Sequence, residues 1–205
     1  GKVAHEYQPA KVAAMEGWWE TKSQQPTLLF GWPDEEAETT HAAIGIPGMG
    51  SWFVAGDSNA ELKGLSAFPK EDRPPVCITF WAFRIMVGMG LAMIGLGIWG
   101  VFVWATKRLE RATLYHRALV LAAPAGFIAV LCGWISAEVG RQPYVVYGVL
   151  RTADAVSPVA AGAVGLSLLV FMVVYAIVFT AGALYILRLI SKGPDTEEPP
   201  PKATS

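Results

Sequence analysis

The stretch FWAFRIMVGMG, residues 80–90, places an arginine and a methionine within an apolar run. Ionisable side chains inside a membrane span are costly, so by default they suggest a function. The thioether of Met86 could ligate a haem iron, and Arg84 could bind a haem propionate through two parallel hydrogen bonds. Because residues two apart point to nearly opposite faces of a helix, Arg84 would have to reach the edge of the ring. Alternatively, Met86 fills a gap in a helix interface and Arg84 extends to the membrane surface.

A second stretch, GWISAEVGRQPY at residues 133–144, carries Trp134, Glu138 and Arg141 at spacings of four and three. On a helix these side chains form one stripe. A carboxylate near the end of a membrane span needs a cation or a metal ion beside it, and Glu138 could ligate iron. The alternative is an ion pair between Glu138 and Arg141 at a helix end, next to an interfacial tryptophan.

A third group of candidates lies on a helix predicted over residues 9–20, which has a proline in its first turn. Lys11 and Glu16 are five residues apart, about 140° around such a helix, so they do not pair face to face. They could line one pocket at the membrane surface, where a base would take the proton of a substrate hydroxyl. Trp18 and Trp19 would then settle into the interface. A solvated amphipathic helix is the alternative.

The elements that must position these residues are membrane helices. Charged residues make up 16% of the 205 residues, whereas a soluble domain usually has about a quarter. Three apolar stretches, at residues 78–105, 118–139 and 163–189, each reach the ~20 residues that a span requires. The sequence therefore predicts an all-α integral membrane protein, in which a loop segment with short helices precedes three transmembrane helices. The net charge of −1 gives no reason to expect a nucleic-acid partner.

Charge in the connecting loops predicts the orientation. The loop TKRLERATLYHR, residues 106–117, contains four basic residues and one acidic residue, so it should be cytoplasmic. We therefore expect residues 1–77 to form an extracytoplasmic segment and residues 78–190 to form the three-helix region. Residues 191–205 are charged and proline-rich, and we expect a disordered cytoplasmic tail there.

Four segments together resemble a known family. They are KVAAMEGWWET at 11–21, LLFGWPDEE at 28–36, FWAFRIMVG at 80–88 and GWISAEVGRQPYVVYGVLRTADAVSP at 133–158. In order and spacing they are similar to the C-terminal part of subunit I of cytochrome bd-type quinol oxidases, in the class with a short quinol loop. The family usually has tryptophan after GRQP, whereas this chain has Tyr144.

The resemblance implies roles for the first and third groups of candidates. Lys11 and Glu16 match positions associated with quinol oxidation. Met86 matches the axial ligand of the low-spin haem b, and Arg84 matches an arginine that supports that haem.

The resemblance also implies roles for the second group. Glu138 matches the carboxylate ligand of the high-spin haem b. Trp134 matches a tryptophan close to the haems, and Arg141 matches the arginine of the GRQP turn near haem propionates. The third haem implied by the family is haem d, or a haem in its place.

The resemblance implies that about half of subunit I lies outside this sequence, including the histidine ligands of the low-spin haem b and haem d. The resemblance thus implies that the chain acts with the remainder of subunit I, a second large membrane subunit and, in some enzymes, small accessory subunits. The complex would oxidise ubiquinol or menaquinol on the outer side of the bacterial inner membrane and reduce oxygen to water. Two alternatives are a non-redox transporter or receptor subunit with a ligand-binding outer loop, and a scaffolding fragment that binds no cofactor.

Overall fold

The computed structural model describes residues 1–156 and 158–193, so most of the predicted tail at 191–205 lies outside the described residues. The chain divides into two compact units, residues 1–156 and 157–205. The α-helices are α1 (Lys2–Tyr7), α2 (Pro9–Glu16), α3 (Met49–Ala55), α4 (Val76–Ala105), α5 (Thr113–Leu121), α6 (Ala125–Val139) and α7 (Ala161–Lys192). The strands are β1 (Lys22–Ser23), β2 (Thr27–Asp34), β3 (Thr39–Ile46), β4 (Glu61–Leu62), β5 (Tyr144–Val146) and β6 (Leu150–Arg151).

Among the described residues, three helical segments are long and apolar enough to cross a membrane, which confirms the predicted class. They are α4, α5 together with α6, and α7. The second segment begins at Thr113, ahead of the predicted start at 118, and it is interrupted by turns at residues 122–124. Pro124 stands at the start of α6, because its ring and missing N–H cannot continue the helix before it. The helix α7 forms the described part of the second unit.

Residues 1–75 contain a β-hairpin as well as the expected short helices. Strands β2 and β3 pair antiparallel, with Trp32 opposite His41. Asp34 orders the turn between them, because its Oδ1 accepts hydrogen bonds from the backbone N–H of Glu36 at 3.0 Å and of Ala37 at 2.9 Å. The hairpin packs against the start of α4, so it becomes part of the surroundings of the first span.

The helix α2 ends at Glu16, earlier than the predicted end at residue 20. Gly17 follows with φ of 70°, the left-handed conformation that commonly closes a helix and that favours glycine. A side chain at this position would also collide with Phe80 of α4, since a Cβ on Gly17 would lie 2.9 Å from the Phe80 ring. The end of α2 is therefore fitted closely against the first span.

The expectation that Trp18 and Trp19 settle into the membrane interface is wrong. Both side chains are buried in a core beneath α2, which also contains Leu62, Leu65 and Val76. The indole N–H of Trp18 donates to the carbonyl oxygen of Pro26 at 2.7 Å, and that of Trp19 donates to Thr40 Oγ1 at 3.0 Å. The same core buries one side of α2, so the helix is not a solvated amphipathic helix either.

Candidate functional site

Glu16, at the end of α2, forms an ion pair with Arg84 of the first span. The distance from Glu16 Oε2 to Arg84 Nη2 is 3.1 Å, and only 13% and 9% of the two side chains are exposed. Arg84 Nη1 also donates to the carbonyl oxygen of Met15, and the guanidinium carbon lies 3.7 Å from the centre of the Phe80 ring. Burial raises the pKa of Glu16, and the charge of Arg84 only partly opposes this effect. The site thus holds a carboxyl group that binds a proton more readily than an exposed one.

Lys11, also on α2, binds α6 instead of α4. Its Nζ donates to the carbonyl oxygen of Ala137 at 2.9 Å, in the last turn of α6. Carbonyl groups in the last turn lack helical partners, and the helix dipole favours a cation there. Burial lowers the pKa of Lys11, and the positive charge of Arg141 lowers it further while Glu138 opposes both effects. Lys11 and Glu16 therefore connect α2 to two different spans.

Met86 lies between the two facing spans. A Cβ built on Gly133 of α6 would be 2.9 Å from Met86 Sδ, so the thioether lies directly over that glycine. Methionine and glycine thus form one contact within the interface of α4 and α6. Met86 is partly buried, and Glu138 follows five residues after Gly133 on α6.

Glu138 and Arg141 form the ion pair that the sequence offered as an alternative to iron ligation. Arg141 Nη2 donates to Glu138 Oε2, with a spacing of three residues. The pair leaves 48% of the Glu138 side chain exposed, so the carboxylate remains accessible. Trp134, one turn earlier on α6, is exposed as well.

The connection after α6 is tied to the segment before α4 through Asp72. Asp72 Oδ1 accepts a hydrogen bond from the Tyr144 hydroxyl at 2.7 Å and one from Arg151 Nη2 at 2.5 Å. The Arg151 guanidinium also lies over the Tyr144 ring, 5.6 Å from its centre. The hydrogen bond to Asp72 is the main cause that raises the pKa of Tyr144. This cluster joins the segment before α4 to the segment after α6, and these two helices carry Met86 and Glu138.

The hairpin turn is fixed to the first residues of α4 in a similar way. Glu35 Oε1 accepts hydrogen bonds from the backbone N–H of Val76 at 2.8 Å and of Cys77 at 3.1 Å. These N–H groups lack helical partners, and a carboxylate is favourable at the start of a helix. Glu38 adds an ion pair with Arg73 at 3.0 Å.

Comparison with known proteins identifies the family. The family model described as cytochrome bd terminal oxidase subunit I matches residues 1–194. The chain belongs to this family. Over 199 residues it is 36% identical to the putative cytochrome bd menaquinol oxidase subunit I of Bacillus subtilis (strain 168), with 96% of this chain and 44% of that protein aligned. It is 35% identical to the cytochrome bd ubiquinol oxidase subunit 1 of the same organism, with 92% and 42% aligned.

A solved structure gives the same result. The bd oxidase from Geobacillus thermodenitrificans superposes with a TM-score of 0.76 and 31% identity, over 94% of this chain and 44% of that chain. The chain thus spans less than half the length of the relatives it matches. The resemblance inferred from the sequence is confirmed, and a multi-pass membrane protein of this respiratory family follows. The alternative of a non-redox transporter or receptor subunit gains no support.

Members of this cytochrome family contain haem, and the chemistry of the candidate residues fits that group. A thioether and an accessible carboxylate are single ligands of the kind that haem iron accepts, and arginine suits a propionate. In the described part of the chain, the Nε atoms of Arg84 and Arg141 are buried without a hydrogen-bond partner. These donors remain available for a carboxylate. No cluster of three or more His, Cys, Asp or Glu residues suited to a separate metal ion occurs among the described residues.

Sequence reasoning missed Asp72, Glu35 and Glu38. Each is one acid within a charged run, DEEAE or KEDR, and nothing in such a run distinguishes a residue with a distant partner from a solvated one. Their partners lie up to 79 residues away in the chain.

Proposed function

We propose that this chain supplies the quinol-oxidising segment and part of the haem-binding sites of a respiratory quinol oxidase that reduces oxygen to water. The observation that carries the proposal is the buried ion pair of Glu16 and Arg84. It joins the segment matching the family's quinol loop to the span that carries Met86, two residues beyond Arg84. Proton release and electron transfer would thus occur at adjacent sites.

In this proposal Glu16 and Lys11 are the quinol-oxidising residues. Glu16 in its carboxylate form would act as the general base that takes the proton of the quinol hydroxyl. A pKa raised by burial supports this role, because a carboxyl group with a higher pKa is a stronger base. Arg84 holds the carboxylate in place from the membrane side. Lys11, fixed on Ala137, supplies donors for a quinol oxygen.

The haem sites use residues of both facing spans. Met86 would hold the iron of the low-spin haem b, and Glu138 would hold the iron of the high-spin haem b. Arg84, Trp134 and Arg141 are the proposed cofactor-binding residues around them. Haem, when bound, supplies one-electron transfer and oxygen chemistry that side chains cannot perform. The unpartnered Nε atoms of the two arginines support their part in holding propionates.

The complete enzyme needs more than this chain. The remainder of subunit I, a second large membrane subunit and a third haem, haem d or a haem in its place, are the proposed partners and cofactor. The substrate is ubiquinol or menaquinol, since both quinols appear in the names of relatives. The basic loop at residues 106–117 supports an orientation with residues 1–77 on the outer side of the bacterial inner membrane.

The experiment that tests the proposal is a reduced-minus-oxidised visible spectrum of the purified assembly, with Met86→Leu beside the parent. Met89→Leu is the matched control, since it removes a thioether from the same helix one turn away. We expect the low-spin haem b band to be lost or shifted in Met86→Leu alone. Bands that both variants leave unchanged would remove Met86 as a ligand. An assembly without haem would support the scaffolding alternative, and Glu138→Gln tests the high-spin site in the same way.

A further inference from the structure

Two of the three tryptophans on α4 are separated along the helix by about the thickness of a bilayer core. Trp81 and Trp99 are 18 residues apart, which corresponds to about 27 Å along a helix. The hydrocarbon core of a bilayer is about 30 Å thick, and tryptophan and tyrosine are enriched at both of its borders. Trp99 packs against Tyr115 with 5.4 Å between the ring centres, as expected of an aromatic group at one border. With Trp99 at one border, Trp81 would lie at the opposite border, near the start of α4.

The β2–β3 hairpin places two further aromatic rings at the level of Trp81. Phe30 lies 5.4 Å from Trp81 and Trp32 lies 5.8 Å from it, measured between ring centres. We call these three residues the aromatic surface. Phe30 is 48% exposed and Trp32 is 58% exposed, so each ring contacts Trp81 on one side and is open on another. Ile44, which pairs with Phe30 across the two strands, is exposed as well.

The position of the hairpin beside Trp81 is fixed, because its turn is bound to the first turn of α4. Glu35 accepts hydrogen bonds from the backbone of Val76 and Cys77, and Glu38 binds Arg73. Trp81 of the aromatic surface follows Val76 by five residues on α4, which places it about 7.5 Å deeper along the span by helix rise. Along α4, the polar hairpin turn comes first and the aromatic surface follows. Headgroups and acyl chains follow each other in the same order from the surface of a bilayer to its core.

We propose that the aromatic surface binds the phospholipid bilayer at the boundary between headgroups and acyl chains, and so anchors the hairpin to the membrane. Trp81 belongs to the first span itself, so the surface is continuous with that span. The indole rings of Trp32 and Trp81 have the amphipathic character that favours this boundary, and Phe30 adds an apolar ring beside them. The proposal depends on the membrane spans and not on the oxidase activity, so it stands or falls separately from the proposed function.

The test is photocrosslinking in the complete oxidase assembly, kept in its native membrane. Trp32→p-benzoylphenylalanine places a photoreactive ring on the aromatic surface, and Glu36→p-benzoylphenylalanine, at the exposed hairpin turn, is the control. After irradiation we expect the chain with the first substitution to gain the mass of a phospholipid, and the control to gain none. Phe30→p-benzoylphenylalanine gives the same readout if the Trp32 variant does not assemble.

Three results would overturn the proposal. A crosslink from position 32 to another polypeptide would show that the remainder of subunit I or the second subunit covers the surface. A photoreactive ring that forms no adduct would show that the surface faces water. Equal lipid labelling of positions 32 and 36 would show that depth does not distinguish them.

Discussion

The guanidinium of Arg84, inside the first span, lies 3.1 Å from the carboxylate of Glu16, which precedes it by 68 residues in the chain. Both side chains are largely buried, and Arg84 also donates to the backbone of Met15. Removing one partner of a buried ion pair costs about 3–5 kcal/mol, because it leaves an uncompensated charge. The contact therefore couples the position of α2 to the span that carries the proposed haem ligand.

We expect Glu16→Gln to slow quinol oxidation by about 10²-fold or more, because the amide cannot accept the proton of the quinol hydroxyl. The amide still accepts a hydrogen bond from Arg84, so the haem spectrum should remain. The measurement is quinol-dependent oxygen consumption together with haem content. Glu20→Gln, at an exposed position four residues later, should retain the parental rate. Loss of haem together with activity would instead indicate a structural role for Glu16.

The pH dependence of quinol oxidation should depend on Glu16. Only the deprotonated carboxylate is a base, so the rate should fall as the pH drops through the pKa of Glu16. Burial raises this pKa above the ordinary value of 4.5, so the fall should begin at a correspondingly higher pH. Because the charge of Arg84 lowers the same pKa, Arg84→Gln should move the acid limb of kcat/KM to still higher pH. An acid limb that is the same in the parent, Arg84→Gln and Glu16→Gln would exclude Glu16 as the titrating base.

A methyl group at Gly133 should disturb the proposed low-spin haem site without changing a proposed ligand. Its Cβ would lie 2.9 Å from Met86 Sδ, closer than real contacts allow, so the thioether must shift. We expect Gly133→Ala to shift or weaken the low-spin haem b band. Gly126→Ala is the matched control on the same helix, since a Cβ there meets no atom within 4 Å. A normal haem band in Gly133→Ala would show that iron ligation does not depend on this contact.

The sequence was sufficient to predict the three membrane spans, but it was not sufficient to predict the β-hairpin that precedes them. Long apolar runs leave few options, because only a helix satisfies the backbone inside a bilayer without partner strands. The hairpin was missed because its turn, DEEAE, lacks the glycine or asparagine typical of tight hairpins. Irregularities between Leu28 and Phe30 and between Phe30 and Trp32 also disrupt the alternating pattern of β2.

The pattern of residues within a single segment also could not predict the partners of the candidate site residues. The bond from Lys11 to Ala137 joins residues 126 positions apart, and the burial of Trp18 and Trp19 depends on Leu62 and Leu65. Helical spacing predicted that Lys11 and Glu16 point in different directions. Which helix each one reaches depends on how α2 packs against the spans, and no single segment contains that information.

Asp72 connects the segment before α4 to the loop after α6 through Tyr144 and Arg151, and the two hydrogen bonds can be tested separately. Tyr144→Phe removes only the hydroxyl, so a small decrease in the thermal stability of the assembly is expected. Asp72→Ala removes both hydrogen bonds and leaves Arg151 without this partner, so its effect should be larger. It should also make the loop at residues 140–151 more sensitive to protease. The exposed neighbour Glu71, changed to alanine, is the control.

Because both changes act on one cluster, Tyr144→Phe should have little further effect when Asp72 is already alanine. Additive effects of the two substitutions would contradict a shared cluster.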